Sequence, residues 1–440
     1  MAVLDTSALA YQFKRVYGDM ITDLFARHTM TYNQFEKSPR QAKVRPGGAG
    51  YYFAIRQGDV EGIGGRAENA LLPEPLAGDG TQGVITPRLI YAVIRMSGLA
   101  IEAGKGDVEA FVNTQADATM NAYKSLVNDL NRQCHGDGFG LLGTTSAKTT
   151  PSTSATWTAT FDNDRGVRYM KKGMICDFFQ STTMDASASS VRISAVNPIT
   201  KVVTFEKAAN AYRAYHPSST AQAYSNAASS IASGSYLVRY GARATTHATS
   251  NAHYELTGLN GMYDDGTLIS AFEGVTVASD PEFKANILSN SSVLRELTID
   301  LMLAAMDMTA ARSNSTVEVI RMGLGQRRKY FGLLAPDIRF APAELKGGYE
   351  TLKFSQNAAV ELLVDPVTQP NRLYFEPRSA IKKYELTPIG WGGFDANKMH
   401  WRENYDQATM FLRTYTDLGV EERNALTLLD DLTEPEHMPF

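Results

Sequence analysis

Residues 51–98 limit the possible folds of this chain more than any other segment. Two runs rich in Tyr, Phe, Ile and Val, residues 51–57 and 84–95, have the composition of β-strands. The segment between them, residues 58–83, is rich in glycine and proline and cannot be helical throughout. A two-stranded ribbon alone buries too little apolar surface to offset its chain entropy. The sequence therefore predicts an arm that lies on another surface, either elsewhere in this chain or on a second copy.

The composition is that of an ordinary globular protein with more than one core. The chain has 440 residues, of which 43% are hydrophobic and 20% charged, so extensive disorder is not expected. Its formal net charge is −4, and Lys and Arg form no long run or stripe. Strong sequence-directed binding of nucleic acid usually requires such a stripe. The composition therefore argues against a sequence-reading nucleic-acid protein.

The two cysteines, Cys134 and Cys176, are far apart and favour free thiols in a reducing compartment. No apolar stretch reaches the roughly 18 to 20 residues of a membrane helix, and the N-terminus lacks the features of a secretory signal. We therefore expect synthesis in the cytoplasm and no membrane partner.

Two segments have the periodicity of amphipathic helices. Residues 7–27 carry apolar side chains at steps of three and four, with Ser7 as a candidate cap. Residues 107–135 repeat this pattern over about seven turns, with Asp107 as a candidate N-cap and Gly136 just beyond the end. At 1.5 Å per residue, the second helix would be roughly 40 Å long. Such a length suits a spine on which sheets are mounted.

The remainder divides into a β-rich insert and a mixed α+β region. Short strands are predicted at 156–161, 174–178, 191–196, 202–205 and 236–240, with a long loop at 211–233, which indicates a small barrel or sandwich within 150–245. After it we predict a short helix capped by Asp280 before Pro281, a helix over 293–311 and a final short helix over 424–429. Strands are predicted at 317–322, 352–354, 360–364, 373–375, 381–386 and 409–415.

Candidate chemistry is sparse. The seven histidines include no pair with the i, i+4 spacing of a helical metal site, and Cys134-His135 with Asp137 is more typical of a helix end. Two glycine-rich segments, 62–65 and 323–325, lack the other residues of a phosphate-binding loop. We interpret the first as a turn and the second as a strand-to-loop junction.

Three charged clusters remain. Arg327, Arg328 and Lys329 form a basic triplet that is most simply a solvated surface. The carboxylate pairs Asp264-Asp265 and Asp430-Asp431 lie in loop-like settings. No G-x-S-x-G motif occurs. We therefore predict no enzyme activity, no catalytic residue, no cofactor and no metal ligand.

The order of these parts resembles a known family. The C-terminal region carries Asp365-Pro366 after an apolar strand, a strand at 373–375 before Ser379-Ala380, and a last strand at 410–415. This region is similar to the tail of many phage coat sequences. The insert, with KKGMICDF, VRISAVNPITKVVTF and SYLVRYG before residues 255–259, resembles the β-rich insertions of some coat proteins. The whole chain resembles a tailed-bacteriophage major capsid protein of the Hong Kong-ninety-seven-type capsid fold.

The resemblance implies an α+β fold with a defined domain order. The parts are an N-terminal arm with an amphipathic helix (1–45), an extended β-hairpin loop (46–104), the spine helix of a peripheral domain (105–145), an inserted β-rich subdomain (146–250), an axial α/β domain with a shared sheet (251–385), and a return to the peripheral domain (386–440).

The resemblance also implies partners and a location. Hexamers and pentamers of the chain would form an icosahedral shell around double-stranded DNA, assembled in the host cytoplasm and located in the virion. Because the first helix begins close to Met1, we expect a separate scaffolding protein rather than a cleaved leader. A portal and cement or decoration proteins are further implied partners. Some relatives join neighbours through a lysine of the extended loop, but this chain has no lysine between Lys43 and Lys105.

Two alternatives remain open. An encapsulin-type nanocompartment shares the fold but holds protein cargo, and the insert argues against it. An enzyme or ligand-binding protein with a β insert would use residues such as Arg327–Lys329 or Asp264-Asp265 and would form a small soluble species.

Overall fold

The computed structural model describes most of the chain between residues 30 and 434. The described residues are 30–40, 43–45, 48–56, 58, 62–68, 70–74, 77–99, 108–146, 156–162, 167–180, 183–184, 191–207, 233–242, 254–313, 315–334, 351–352, 360–392, 400–401 and 404–434. The predicted helix at 7–27, the candidate cap Asp107 and the predicted loop at 211–233, apart from Ser233, lie outside them.

The described part contains five α-helices and two short 3-10 helices. The α-helices are α1 (Met30–Gln34), α2 (Val108–Cys134), α3 (Leu259–Met262), α4 (Ile299–Ser313) and α5 (Leu324–Leu334), and the 3-10 helices are Pro281–Phe283 and Arg423–Ala425.

Strands are more numerous than helices in the described part. They are β1 (Glu36–Lys37), β2 (Lys43–Arg45), β3 (Gly48–Arg56), β4 (Gly80–Ile85), β5 (Arg88–Ser97), β6 (Leu141–Thr144), β7 (Thr156–Thr160), β8 (Ile175–Gln180), β9 (Thr183–Met184), β10 (Val191–Asn197), β11 (Val202–Lys207), β12 (Tyr236–Arg239), β13 (Ala271–Phe272), β14 (Val275–Thr276), β15 (Asn286–Leu288), β16 (Val319–Met322), β17 (Thr351–Leu352), β18 (Val360–Val364), β19 (Leu373–Glu376), β20 (Ile381–Trp391), β21 (His400–Trp401), β22 (Gln407–Val420) and β23 (Thr427–Leu429).

The long helix α2 confirms the strongest helical prediction. It ends at Cys134, where the chain turns through Gly136, and Gly138 and Gly140 follow with φ of 86° and 73°. These left-handed angles favour glycine, which has no Cβ to clash with the backbone. Leu126 and Leu130 point from α2 into the largest apolar core of the described residues. The periodic pattern in the sequence therefore marks the buried face of a real helix.

The predicted arm divides into two parts. Strands β3 and β4 pair antiparallel, from Tyr51 opposite Ile85 to Arg56 opposite Gly80, and form a hairpin. The strand predicted over 84–95 is wrong as one unit, because it breaks at Pro87, which has no N–H to donate to a ladder. Its second half is β5, which pairs with β22 near the end of the chain.

The first sheet therefore joins the two ends of the described chain. Its order is β1-β20-β22-β21, and β5 pairs with β22 along ten residues. Both β20 and β22 are longer than predicted, because the ladder between them runs from Ile381 to Trp391 and continues through two register shifts. Ile94, Met96 and Met410 of this sheet pack against Ala118 and Ala122 of α2.

The β-rich insert is a closed barrel, which decides between the two predicted architectures. The strand order is β6-β12-β8-β10-β11-β7, and a bridge between Thr145 and Phe161 joins the last strand to the first. The five predicted strand segments are confirmed, whereas β6 was missed. Trp157 and Phe205 stack at 4.7 Å inside the barrel, beside Phe178. Closure removes the exposed edges that an open sheet would present.

The second sheet has the order β15-β23-β19-β16-β18-β17. Helices α4 and α5 pack against this sheet, and their residues Met302, Ala305 and Tyr330 lie in the apolar core between helices and sheet. Of the predicted strand at 352–354, only residue 352 falls within the described part, at the end of β17.

Three predictions in this region are wrong in part. The helix predicted at 293–311 begins only at Ile299, because the Thr298 hydroxyl accepts a hydrogen bond from the Leu301 N–H at 3.2 Å and so marks the helix start. The helix predicted at 424–429 is a 3-10 turn followed by β23, which lies between β15 and β19. The short helix predicted at Pro281 is confirmed as the 3-10 helix Pro281–Phe283, but the Asp280 side chain makes no capping hydrogen bond to it. Helix α5 was missed.

Gly258 is where the segment before α3 meets the end of α2. A Cβ at this position would lie 2.2 Å from the Gln133 carbonyl oxygen and 2.5 Å from that of Cys134. These are backbone atoms and cannot move aside as a flexible side chain could. The close approach therefore requires glycine.

We predict that Gly258→Ala lowers the free energy of unfolding by about 1–3 kcal/mol, the usual cost of forcing an extra methyl group into a packed site. The matched control is Gly332→Ala in α5, where a Cβ would have no atom within 4 Å. That change should be neutral or stabilise by about 0.5–1 kcal/mol, because alanine favours a helix interior over glycine. Urea denaturation measures both, and equal effects would contradict the proposed contact.

Candidate functional site

The hairpin formed by β3 and β4 has a buried root and an exposed tip. At the root, Tyr51, Phe53 and Ile85 are buried, and the Tyr51 ring meets the Tyr384 ring edge-on at 5.1 Å. The Val84 N–H donates to the Glu273 carbonyl oxygen at 2.7 Å. The hairpin root therefore rests on this chain's own body, which is the first of the two surfaces that the sequence left open.

The hairpin tip, residues 58–79, presents apolar side chains to solvent. Ile63, Leu71 and Leu72 are 90%, 91% and 83% exposed, the highest values among the large hydrophobic side chains of the described residues. The described stretches 62–68 and 70–74 contain no helix or strand. Three large apolar side chains exposed on one loop make it a candidate contact surface.

The tip is also acidic in sequence. Between residues 57 and 79 the only basic residue is Arg66, against five acidic residues, Asp59, Glu61, Glu68, Glu74 and Asp79. A surface that receives the tip should therefore combine apolar side chains with positive charge.

One face of the first sheet has that combination. Leu89 and Tyr91 of β5 are 57% and 48% exposed, and they lie opposite Tyr415 and Arg413 in the ladder with β22. The Tyr91 ring lies 6.4 Å from that of Phe411. The Arg413 guanidinium lies 5.6 Å above the Tyr415 ring, and Arg95 follows on the same face by strand alternation. We call this surface the aromatic face.

Buried ion pairs hold the long helix to its surroundings. Arg132 of α2 donates to Asp129 at 3.0 Å and to Glu255 at 2.5 Å, and Arg239 of β12 reaches Asp129 at 3.1 Å. Gln133 accepts a hydrogen bond from the Leu256 N–H. The end of α2 is therefore joined to the barrel and to the segment before α3 by charge as well as by apolar contact.

The two carboxyl groups at the end of α2, Asp129 and Glu255, have shifted pKa values. Burial would raise the pKa of the Asp129 carboxyl, but Arg132 and Arg239 hold it well below its ordinary value. Burial raises the pKa of Glu255 in spite of Arg132. Such pairs are costly to break, because removal of one partner leaves the other charge buried.

A second buried cluster surrounds Asp365. Its Oδ2 accepts a hydrogen bond from the Thr31 hydroxyl at 2.5 Å and one from the Asn131 amide at 3.3 Å, and it lies 3.4 Å from His135 Nε2. Its Oδ1 accepts from the Val367 N–H at 2.8 Å. Although burial opposes it, these donors hold the pKa of Asp365 well below its ordinary value. Asp365 thereby joins α1, α2 and the end of β18.

The Cys134, His135 and Asp137 side chains, which the sequence favours as a helix end, have separate surroundings. His135 faces Asp365 and Thr31, whereas the Asp137 carboxylate accepts a hydrogen bond from the Phe139 N–H at 3.0 Å. Burial raises the pKa of the Cys134 thiol far above its ordinary value, so it is a poor metal ligand. Among the described residues, no group of three or more His, Cys, Asp and Glu side chains could hold a metal ion.

The carboxylates of the pairs Asp264-Asp265 and Asp430-Asp431 bind neighbouring groups of the fold. Asp264 accepts hydrogen bonds from the N–H groups of Gly266, Leu268 and Ile269, and Asp265 accepts from Thr267. Asp430 pairs with Arg372 at 2.9 Å, and the neighbouring Asp431 accepts from the N–H groups of residues 290 and 292. The two carboxylate pairs organise turns.

The glycine-rich segments and the basic triplet lie in different parts of the fold. Gly62, Gly64 and Gly65 lie in the hairpin tip, and Gly323 precedes α5. The basic triplet lies on α5, where Lys329 pairs with Glu296 at 2.5 Å and the other two residues are exposed. No described helix is long and apolar enough to cross a membrane.

We predict that Arg132→Met lowers the free energy of unfolding by about 3–5 kcal/mol, because Glu255 loses its buried cation. The raised pKa of Glu255 means that its contribution to stability is present at low pH and is lost as pH rises. The defect should therefore be larger at pH 8 than at pH 5 in urea denaturation. Lys329→Met, which breaks the exposed pair with Glu296, is the control. Similar, pH-independent losses in both variants would refute the role of the buried pair.

Comparison with known proteins gives a structural match and no sequence match. No protein-family model matches the chain, and no curated protein does. A chain of the cyanophage A-1(L) capsid asymmetric unit matches 98% of this chain and 100% of its own length, with a TM-score of 0.54 and 10% identity. A chain from the capsid of a native GTA particle (TM-score 0.44, 9% identity) and one from Gordonia phage Cozz (0.43, 8%) each cover 98% of this chain and 100% and 94% of their own. This chain has the phage capsid fold, of the Hong Kong-ninety-seven type that its sequence resembles.

Proposed function

We propose that this protein is the major capsid protein of a phage and self-assembles into an icosahedral shell around double-stranded DNA. The observation that carries the proposal is the match to the cyanophage capsid chain, which covers 98% of this chain and 100% of the other. The exposed apolar tip of the hairpin supports it, because such a surface needs a partner and a shell of identical copies supplies one. On this proposal the protein has a structural role rather than an enzymatic one.

The parts of the fold have proposed roles in that shell. The hairpin is the extended loop, α2 is the spine helix of a peripheral domain that includes the first sheet, and the second sheet with α4 and α5 is the axial domain around which hexamers and pentamers form. The barrel is an insert that decorates the shell or stabilises hexamers. A separate scaffolding protein, a portal and decoration proteins are proposed partners.

The aromatic face is the proposed landing site for the hairpin tip of a neighbouring copy. The tip offers Ile63, Leu71 and Leu72 with an excess of acidic residues, and the face offers Leu89 and Tyr91 with nearby arginines. Apolar burial would supply most of the contact energy, and charge complementarity would fix the orientation. Each contact can be weak, because a closed lattice multiplies it and makes simultaneous dissociation rare.

The DNA would be enclosed without being read. The net charge of −4 and the lack of a basic stripe in the sequence are consistent with a wall that holds DNA loosely. A strongly basic inner surface in an assembled particle would count against this part of the proposal.

We predict that the expressed protein, with its scaffolding partner where one is needed, forms rings or shells in negative-stain microscopy. The variant Leu71→Ser/Leu72→Ser should remain folded but lose shells, because the tip no longer gains from apolar burial. Ile199→Ser is the control, since this side chain is 77% exposed on a barrel turn outside the hairpin. Particles of normal yield from the double variant would refute the role of the tip.

The same particles separate the proposal from its rivals. A phage capsid contains DNA, whereas an encapsulin-type compartment contains protein cargo. A small, monodisperse species that stays small with scaffolding present would instead favour a soluble enzyme or binding protein.

We further predict that mature shells run as a single monomer band in denaturing electrophoresis. Residues 44–104 contain no lysine, so the loop has no amine for an isopeptide bond to a neighbour. A ladder of covalent oligomers would show that another lysine forms such a bond.

A further inference from the structure

The hairpin is joined to the first sheet through a short connection. Strand β4 ends at Ile85, and β5 begins at Arg88, so Thr86 and Pro87 alone separate the hairpin from the sheet. A change in the contacts of Arg88 acts directly at the root of the hairpin.

Arg88 is held by a buried carboxylate. Its Nε donates to Asp417 Oδ2 at 3.2 Å, and the Asp417 side chain is 4% exposed. The other oxygen, Oδ1, accepts hydrogen bonds from the N–H groups of Thr257 at 3.1 Å and Leu418 at 2.9 Å. The two oxygens of Asp417 therefore have different partners. Oδ1 binds backbone N–H groups of the body, and Oδ2 binds the Arg88 side chain.

A second acidic residue supports the hairpin from the other side. Glu273, in the turn between β13 and β14, accepts the Val84 N–H through its backbone carbonyl oxygen at 2.7 Å. Its side-chain Oε1 accepts the Val420 N–H at 2.9 Å, and its buried Oε2 has no hydrogen-bond partner among the residues that the structure describes. The root thus lies between two buried carboxyl groups.

We propose that Arg88 and Asp417 form a proton-sensitive clasp, which holds the hairpin root at neutral pH and releases it in mild acid. Protonation of Oδ2 removes the negative charge that Arg88 binds and converts an acceptor into a donor, while the two bonds to Oδ1 persist. Arg88 is partly exposed, with 21% of its side chain accessible, so solvent reaches the pair.

The charge balance at Asp417 favours this behaviour. Burial raises the pKa of Asp417 to about 6, and Arg88 only partly opposes that rise. Because the pKa is raised on folding, this carboxyl stabilises the fold most at low pH and loses that contribution as pH rises through about 6. Acid therefore opens the clasp without destabilising the body through this group.

Two acidic residues at the hairpin root, Asp417 and Glu273, have a raised pKa. Burial raises the pKa of the Cys134 thiol and of the Tyr384 hydroxyl further above their ordinary values. Burial also raises the pKa of Glu273 well above its ordinary value, and the charges facing Glu273 are Asp417, Arg423 and Glu421. Glu273 is the competing acid, and the experiment below separates the two.

The clasp exists in the single chain, and only its consequence for shells rests on the proposed function. In a shell, release at the root would let the hairpin change its angle to the body. The experiment therefore uses the full-length chain before assembly, so its failure leaves the proposed function intact, and a failure to assemble leaves the clasp intact.

The test is amide hydrogen exchange by mass spectrometry at about pH 5 and about pH 7.5, corrected for the intrinsic pH dependence of exchange. Peptides covering 80–97 should exchange roughly tenfold faster at the lower pH in the wild type. The lower pH lies about one unit below the Asp417 pKa of about 6, and one unit corresponds to roughly a tenfold change in the ratio of protonated to ionised Asp417. Barrel peptides covering 191–207 serve as the internal control for global unfolding.

Three variants decide the outcome. Asp417→Asn keeps the shape without the charge, so peptides 80–97 should exchange rapidly and equally at both pH values while barrel peptides stay protected. Arg88→Gln should do the same, and Glu273→Gln should keep the wild-type pH dependence. A wild type without pH dependence, or an Asp417→Asn variant that retains it, would overturn the clasp.

Discussion

Strand β22 is the element against which most of the first sheet is assembled. It pairs with β5 along one edge and with β20 and β21 along the other, so segments from opposite ends of the chain meet on it. Its apolar side chains also form the floor on which α2 lies. Among the described strands, β5 pairs with β22 alone, so β5 has no ladder until this strand is in place. Contacts between such distant segments are slow to form, because the intervening loop must close first.

Buried charged side chains, as well as apolar contacts, connect the helices and sheets to one another. Arg132 at the end of α2, Arg321 of β16 with Glu376 at 2.7 Å, and Arg423, whose Nε donates to the Met262 carbonyl oxygen at 2.8 Å, are all buried. Apolar surfaces tolerate sliding, whereas an ion pair in a low-dielectric interior has one satisfactory geometry. Charges at these positions therefore restrain the angles between the elements that they join.

Local patterns in the sequence predicted elements that bury one regular face. The helix α2 and the barrel strands have clear periods, and the structure confirms them. The partner of β5 could not be predicted, because its pairing with β22 leaves no local signal. Helix α5 was missed because Gly325, Gly332 and three cations interrupt its apolar pattern. Strand β23 was mistaken for a helix because residues 427–429 are buried on every side and show no alternation.

The roles of the candidate site residues could not be predicted either, because they depend on contacts that form only in the folded chain. The carboxylate pairs at 264–265 and 430–431 were visible in the sequence, but their roles in turns depend on backbone N–H groups. Asp417 and Glu273 carry no motif, and their perturbed charge follows from burial that only the folded chain creates. The sequence predicted an arm with a non-helical connection, whereas the exposure of Ile63, Leu71 and Leu72 on it is seen only in the folded chain.

The closed barrel has a consequence for the evolution of the chain. Its first and last strands, β6 and β12, are direct neighbours, with Gly143 opposite Leu237. The chain therefore enters and leaves the barrel at adjacent points, and the rest of the fold need not change if the module between them is lengthened, exchanged or lost. A gene that encodes such a chain could acquire or replace a surface domain in one step, and the same two strands offer a site for grafting a foreign domain.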